Sequence, residues 1–211
     1  MPRNAVLAFD VACIGGTVAL AVEGAVTSRV LAPSQQAALL MPTIDALLRE
    51  AGVEYAALTR ILTTLGPGSF TGVRIGLATL HGLVMACPVP IALVTTLEAL
   101  AWQAIRADAV PPQGRFVTSL RAGKGEVYAQ TFQREGSHPT ALDNAHLAPE
   151  TQAWNLPVFG YDPHRETAPM PDAAVLVHIA EHLPIRLLAE AVPHYIRPPD
   201  AAIPKPLAWL A

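Results

Sequence analysis

Charge is scarce in this sequence. Asp, Glu, Lys and Arg supply 15% of its 211 residues and apolar types supply 52%, a balance that excludes a disordered chain and describes a compact, apolar globular protein. A surface so poor in charge covers itself badly, and exposed apolar patches above roughly a few hundred Å² are rare on lone monomers. The composition therefore favours an oligomer or a complex. Lys and Arg number 14, lie scattered, and leave a formal charge of −3. No basic stripe exists to neutralise a phosphate backbone, so strong nucleic-acid binding by the chain alone is not expected. Cysteine is nearly absent as well. Cys13 and Cys87 stand far apart with no C-x-x-C pair, which excludes a disulfide framework or zinc knuckle and suits a reducing cytosol. A signal-peptide pattern is missing after Met1. No stretch offers the roughly 18 to 20 uncharged apolar residues of a membrane span. The nearest, 72–89, is interrupted by Arg74, His81 and glycines. A cytoplasmic location without membrane association is expected.

What is present reads as alternating elements. Residues 5–10 form a buried strand, Gly15-Gly16 turns the chain into a strand over 17–22, and Glu23-Gly24 turns it again into 25–31. Tight glycine turns between short strands predict an antiparallel meander. Ser34 is a candidate N-cap for a helix to about Ala51, stopped by Gly52 and loosened or kinked by Pro42. A strand over 60–65, a glycine loop over 66–70, a helix over 71–86, a strand over 90–94 and a helix over 96–106 follow. This order implies a mixed sheet with a parallel part. The Pro-rich stretch 110–114 divides residues 1–109 from a smaller lobe, 110–211. That second lobe is read as strands over 115–120 and 126–134, mostly loop over 138–157, a short strand at 158–159, a helix over 172–182 and an extended Pro-rich tail.

The segment Gly66-Pro67-Gly68-Ser69-Phe70-Thr71-Gly72-Val73-Arg74-Ile75-Gly76 is the most informative. A glycine loop entering a helix presents unpaired N–H groups at a positive dipole end, so Gly66, Gly68, Ser69 and Thr71 form a candidate anion site. It lacks the Lys of a Walker loop and G-x-G-x-x-G spacing, and the glycines are equally readable as a tight turn. In the following helix only Arg74 and His81 are ionisable. Val73, Leu77, Leu80 and Val84 form one side, and Gly72, Gly76, Thr79 and Leu83 another. A helix apolar on most faces is buried on most faces. Its glycine side admits a close backbone, either from this chain's own second lobe or from a partner helix. The preceding helix turns Leu40, Ile44, Leu47 and Ala51 toward the sheet, while Ala37, Met41 and Leu48 carry apolar surface elsewhere.

The glycine segment resembles the signature of the TsaB (YeaZ) family. Similar too are Leu39-Leu40-Met41-Pro42-Thr43-Ile44-Asp45-Ala46-Leu47-Leu48, Thr95-Thr96-Leu97-Glu98-Ala99-Leu100-Ala101, Gly125-Glu126-Val127-Tyr128 and Tyr195-Ile196-Arg197. The resemblance implies an α/β, actin-like fold of the sugar-kinase and Hsp70 type, with two related lobes built on mixed sheets. It implies a non-catalytic subunit that pairs through its first two helices with the catalytic paralogue TsaD. With the TsaE ATPase, that complex transfers a threonylcarbamoyl group to an adenosine beside the anticodon of tRNA. The candidate partner-binding residues are then Ala37, Met41, Leu48, Phe70, Gly72, Arg74, Gly76, Thr79 and Leu83. No intrinsic cofactor, metal or catalytic residue is implied. ATP and metal belong to the partner subunits, tRNA is reached through the complex, and the same helices could form a homodimer.

The chain departs from the family pattern in three places. Asp10-Val11-Ala12 replaces Asp-Thr-Ser, Arg121-Ala122-Gly123 replaces Asp-Ala-Arg, and Pro33-Ser34-Gln35 replaces the His-Ser before the first helix. These changes remove hydroxyls and a carboxylate that could touch nucleotide or metal. Asp10 remains, readable as a strand-end carboxylate accepting backbone hydrogen bonds. The rival reading is a stand-alone hydrolase, peptidase-like or kinase-like enzyme of the same fold. His178-Ile179-Ala180-Glu181-His182 matches H-x-x-E-H, but a zinc site needs a third protein ligand and Pro184 stops the helix. Ser69 lies in no G-x-S-x-G elbow.

Overall fold

The computed structural model describes residues 4–161 and 169–197. Its first sheet is ordered β3-β2-β1-β4-β5, with β1 Ala5–Asp10, β2 Gly16–Val22, β3 Ala25–Leu31, β4 Arg60–Thr64 and β5 Ile91–Val94. The first three strands form the expected meander, and β4 and β5 add in parallel. Every residue of β1 is buried because helices cover both faces. Leu7 and Phe9 point into the core beneath helices α1 (Gln36–Ala51) and α2 (Phe70–Ala86). Val6 and Ala8 point to the opposite face, beneath α3 (Thr96–Arg106) and α4 (Ala173–Ile179). Such alternation is what a period of two demands of a strand between two layers.

Helix α1 begins one residue later than its sequence suggests. Ser34 takes φ 64° in the turn before the helix, so Gln35 occupies the N-cap position without a side-chain cap. Gly52, left-handed at φ 62°, closes the other end by donating to the Arg49 carbonyl. Pro42 lies on the exposed side of α1 and the helix continues through it.

The second sheet is ordered β10-β6-β7-β8, with β9 also pairing β7. A hairpin of β6 Gln113–Gly123 and β7 Glu126–Glu135 forms its centre. The region 138–157, expected as mostly loop, contains β8 His138–Ala141 and β9 His146–Pro149, both antiparallel to β7. Neither strand alternates apolar with polar residues, and β8 is largely exposed. Backbone pairing with β7 holds them, helped by Asp143, whose carboxylate accepts from the Thr131 N–H and Oγ1 at 2.8 Å each. Strand β10 Val158–Gly160 runs parallel to β6.

Helix α3 lies between the sheets. Ala99 and Trp102 join the core of the first, and Ala101, Ala104 and Ile105 pack with Phe116 and Phe132 of the second. Helix α4 stops at Ile179, giving way to a 3-10 turn over Ala180–His182. It buries Leu176 and Val177 against the first sheet. The tail then follows that sheet as a strap: the Arg186 N–H donates to Ile91 O at 2.9 Å and the His194 N–H to Leu65 O at 2.8 Å. A division at residue 110 misses this return of 173–194 to the first sheet. Among the described residues no helix is long and apolar enough to cross a membrane.

Candidate functional site

The glycine motif connects β4 to α2. Ser69 is the N-cap residue, its Oγ accepting from the Gly72 N–H at 3.3 Å. Its own N–H donates to the Ala12 carbonyl, in the turn between β1 and β2, at 2.7 Å. A Cβ at Gly68 would stand 2.2 Å from that same oxygen, and one at Gly72 only 2.0 Å from Val11 O. Glycine is required at both positions because another backbone lies on them. That backbone is the chain's own. The candidate anion site at Gly66, Gly68, Ser69 and Thr71 is thus corrected: a protein carbonyl occupies the Ser69 amide that an anion would use.

Beside the motif a cleft of about 590 Å³ separates the lobes, lined by Cys13, Ile14, Ser69, Arg121, Tyr128 and Met170 among others. The departures at Ala12 and Arg121-Gly123 form part of its wall, and among the described residues no Asp or Glu lines it. The Arg121 guanidinium lies 5.8 Å from the Tyr161 ring centre. Asp10 is fully buried and is not part of the lining. Its Oδ1 accepts from Thr64 Oγ1 and from the Ala12 N–H, while Oδ2 has no partner among the described residues. Burial raises its pKa to about 6, against the pull of those two hydrogen bonds. Burial and the nearby Asp10 push the Cys13 thiol well up.

Helices α1 and α2 lie together on one face of the first sheet, and their outer sides form the second candidate surface. The glycine side of α2 is not on it. Gly72, Gly76, Leu83 and, on α1, Leu48 are buried in this chain's own core. A Cβ at Gly76 would lie 3.2 Å from Val11 Cγ2 and 4.0 Å from Phe9 Cε2. These four residues are corrected from partner-binding candidates to internal packing. Small residues on two neighbouring stripes let α2 sink onto the β1–β2 turn.

The exposed side of α2 carries Thr71, Arg74, Ala78, Gly82 and Met85, spaced by three, four, four and three residues, as one helical face requires. Met85 is 80% exposed. Helix α1 adds Ala37, Ala38 and Met41. Of the sequence candidates, Ala37, Met41 and Arg74 are exposed and Phe70 and Thr79 half-buried. Phe70 stacks with Tyr195 of the strap at 4.6 Å, and Arg74 Nε donates to the Tyr195 hydroxyl at 3.0 Å. Ala78, Gly82 and Met85 were missed, although a signal existed: they share a helical face with Arg74, one of two ionisable residues on α2.

His178 stands on the last turn of α4 and His182 on the 3-10 turn that follows it. The 3-10 turn after Ile179 rotates His182 onto Trp102, with ring planes 10° apart. Among the described residues, no group of three or more His, Cys, Asp and Glu side chains could hold a metal.

A family model described as TsaD: tRNA N6-adenosine threonylcarbamoyltransferase matches residues 30–160. The tRNA threonylcarbamoyladenosine biosynthesis protein TsaB of Escherichia coli (strain K12) is 32% identical over 131 residues, which are 62% of this chain and 55% of that protein. A solved structure, YeaZ from Pseudomonas aeruginosa, is 28% identical, with a TM-score of 0.75 over 91% of this chain and 99% of that one. The chain belongs to the TsaB (YeaZ) family. Its fold, α/β with two mixed sheets, is that of the solved YeaZ structure. Within the wider TsaD-type group, the tRNA N6-adenosine threonylcarbamoyltransferase of Erythrobacter litoralis (strain HTCC2594) is 38% identical over 78 residues, 37% of this chain and 23% of that protein. The chain spans about half the length, or less, of the curated TsaB proteins it matches first. The TsaB signature at 66–76 lies inside the matched segment.

Proposed function

We propose that this TsaB-family chain serves threonylcarbamoyladenosine formation on tRNA as a non-catalytic subunit that binds a TsaD-type transferase through the outer sides of α1 and α2. The observation that carries this reading is the exposed apolar face of Ala78, Gly82 and Met85 on α2, with Ala37 and Met41 also exposed on α1. Small side chains there let a second helix approach, and exposed methionine suits an adaptable interface. Arg74, held by Tyr195 and without a carboxylate partner among the described residues, marks the edge of the surface and offers a charge to a partner acid.

The absence of Asp and Glu among the described residues of the cleft lining, together with the burial of Asp10, supports a subunit without its own phosphoryl or hydrolytic chemistry. ATP and metal would then act on TsaD and TsaE, and tRNA would reach the complex through TsaD, in keeping with the net charge of −3. In the absence of TsaD, the same surface would serve a homodimer. Co-purification of the chain with TsaD from the same organism tests the reading, followed by a modification assay with TsaE, ATP and the threonylcarbamoyl donor. A stoichiometric complex, and modification only when both subunits are present, are expected. Modification or ATP hydrolysis by this chain alone would overturn it.

A further inference from the structure

A cavity of about 350 Å³ opens where three elements converge, away from α1 and α2. The C-terminal part of α3 contributes Trp102 and Arg106, the end of β7 and its turn contribute Arg134 and Ser137, and the end of α4 and the 3-10 turn after it contribute His178 and His182. Among the described residues, every ionisable side chain in the lining is an Arg or a His, and no Asp or Glu belongs to it.

The walls are already in place. Arg134 is fixed by three bonds, its Nε donating to Gly136 O at 3.0 Å and its Nη1 to Asp108 Oδ1 at 2.9 Å and Val110 O at 2.7 Å. Asp108, the one acid bonded to it, stands 79% exposed on the outside. Arg106 makes no ion pair among the described residues and is open to solvent. Trp102 is only 6% exposed, and its buried Nε1–H has no acceptor among the described residues. Its ring is stacked with His182 at 6.0 Å and meets His138 edge-on at 5.1 Å. Two guanidinium groups and two imidazole rings around a solvent-open cavity, with no carboxylate among the described lining residues, favour an anionic acceptor.

We propose that this cavity binds a small oxyanion, a phosphate or carboxylate group carried on a compact metabolite. Guanidinium forks match such oxygens in geometry as well as charge, and the volume sits near the lower end of small-molecule sites, which run from about 300 to 1,000 Å³. The reading is independent of the partner surface. His178 and His182, which match a zinc pattern in sequence, serve here as walls of an anion pocket.

The test uses the full chain with Trp154→Phe and Trp209→Phe, leaving Trp102 as the single tryptophan. Inorganic phosphate and succinate are titrated separately at constant ionic strength set by sodium chloride. A saturable change in Trp102 emission with either anion, weakened at least tenfold by Arg106→Gln and by His182→Asn, is the expected result. Which anion acts decides between the phosphate and carboxylate sources. Both substitutions lie at exposed positions, and thermal midpoints within about a degree of the parent protein would show the fold intact. A response that grows linearly without saturating, no response to either anion, or equal responses in the parent and the Arg106→Gln variant would overturn the proposal.

Discussion

The two sides of α2 look alike in sequence and differ entirely in structure. Gly72 and Gly76 lie against Val11 inside the chain, while Ala78, Gly82 and Met85 face outward. Both are stripes of small or apolar residues. A glycine stripe states that a backbone comes close, without stating whose backbone. The position of the lone arginine on the helix carries that information, since a guanidinium needs water or a partner charge and so marks the outer face.

The comparison breaks most sharply at Gly72. Gly72→Ala sets a Cβ 2.0 Å from Val11 O, so the β1–β2 turn must move, and a loss of stability above about 3 kcal/mol is expected. Chemical denaturation measures it. A loss below about 1 kcal/mol would mean that the turn yields freely and that α2 is not seated on it.

Next comes Asp10, the residue from which that turn departs. Its carboxyl has a folded-state pKa of about 6 against an ordinary value of 3.8, so the folded chain holds a proton that the unfolded chain has released between those pH values. The sign follows: stability falls as pH rises through about 4 to 6 and the penalty is complete above it, amounting to about 2 to 3 kcal/mol at 1.36 kcal/mol per unit. Asp10→Asn should remove this slope, and stability profiles of both proteins between about pH 4 and 8 check it. Parallel profiles would show that Asp10 is charged at no cost.

On the outer side the effects are smaller and of opposite sign. Gly82 has open space where a Cβ would stand, so Gly82→Ala should raise stability by up to about 1 kcal/mol through helix propensity alone. Thermal unfolding at several concentrations separates this gain from any change in self-association. A destabilised variant would place Gly82 in a contact of its own.

Much of the first sheet was legible because glycines punctuate it. The Gly15-Gly16 and Glu23-Gly24 turns bound β2 and β3, and Ser69 and Thr95 begin α2 and α3 by accepting from Gly72 and Glu98. Strands β8 and β9 were hidden, since their pairing with β7 depends on backbone groups and not on a pattern of side chains. The strap was hidden too. Its bonds to Leu65, Ile91 and Arg74 join residues far apart in the chain, a separation at which local signals are silent. For the site, Arg74, Met41 and Ala37 were readable as surface. Leu48 and Leu83 were not distinguishable from outward residues, because α1 and α2 are apolar beyond the stripe that one sheet covers.

The partner surface is tested most directly by the affinity for TsaD of the same organism, measured by calorimetry on Met85→Asp. Met85 is 80% exposed, so the isolated variant should keep its stability within about 0.5 kcal/mol. A carboxylate buried in an apolar helix contact should weaken binding by at least about tenfold, equivalent to about 1.4 kcal/mol. An affinity equal to that of the parent chain, with the fold intact, would contradict the assignment of the outer side of α2 as the surface that meets the transferase.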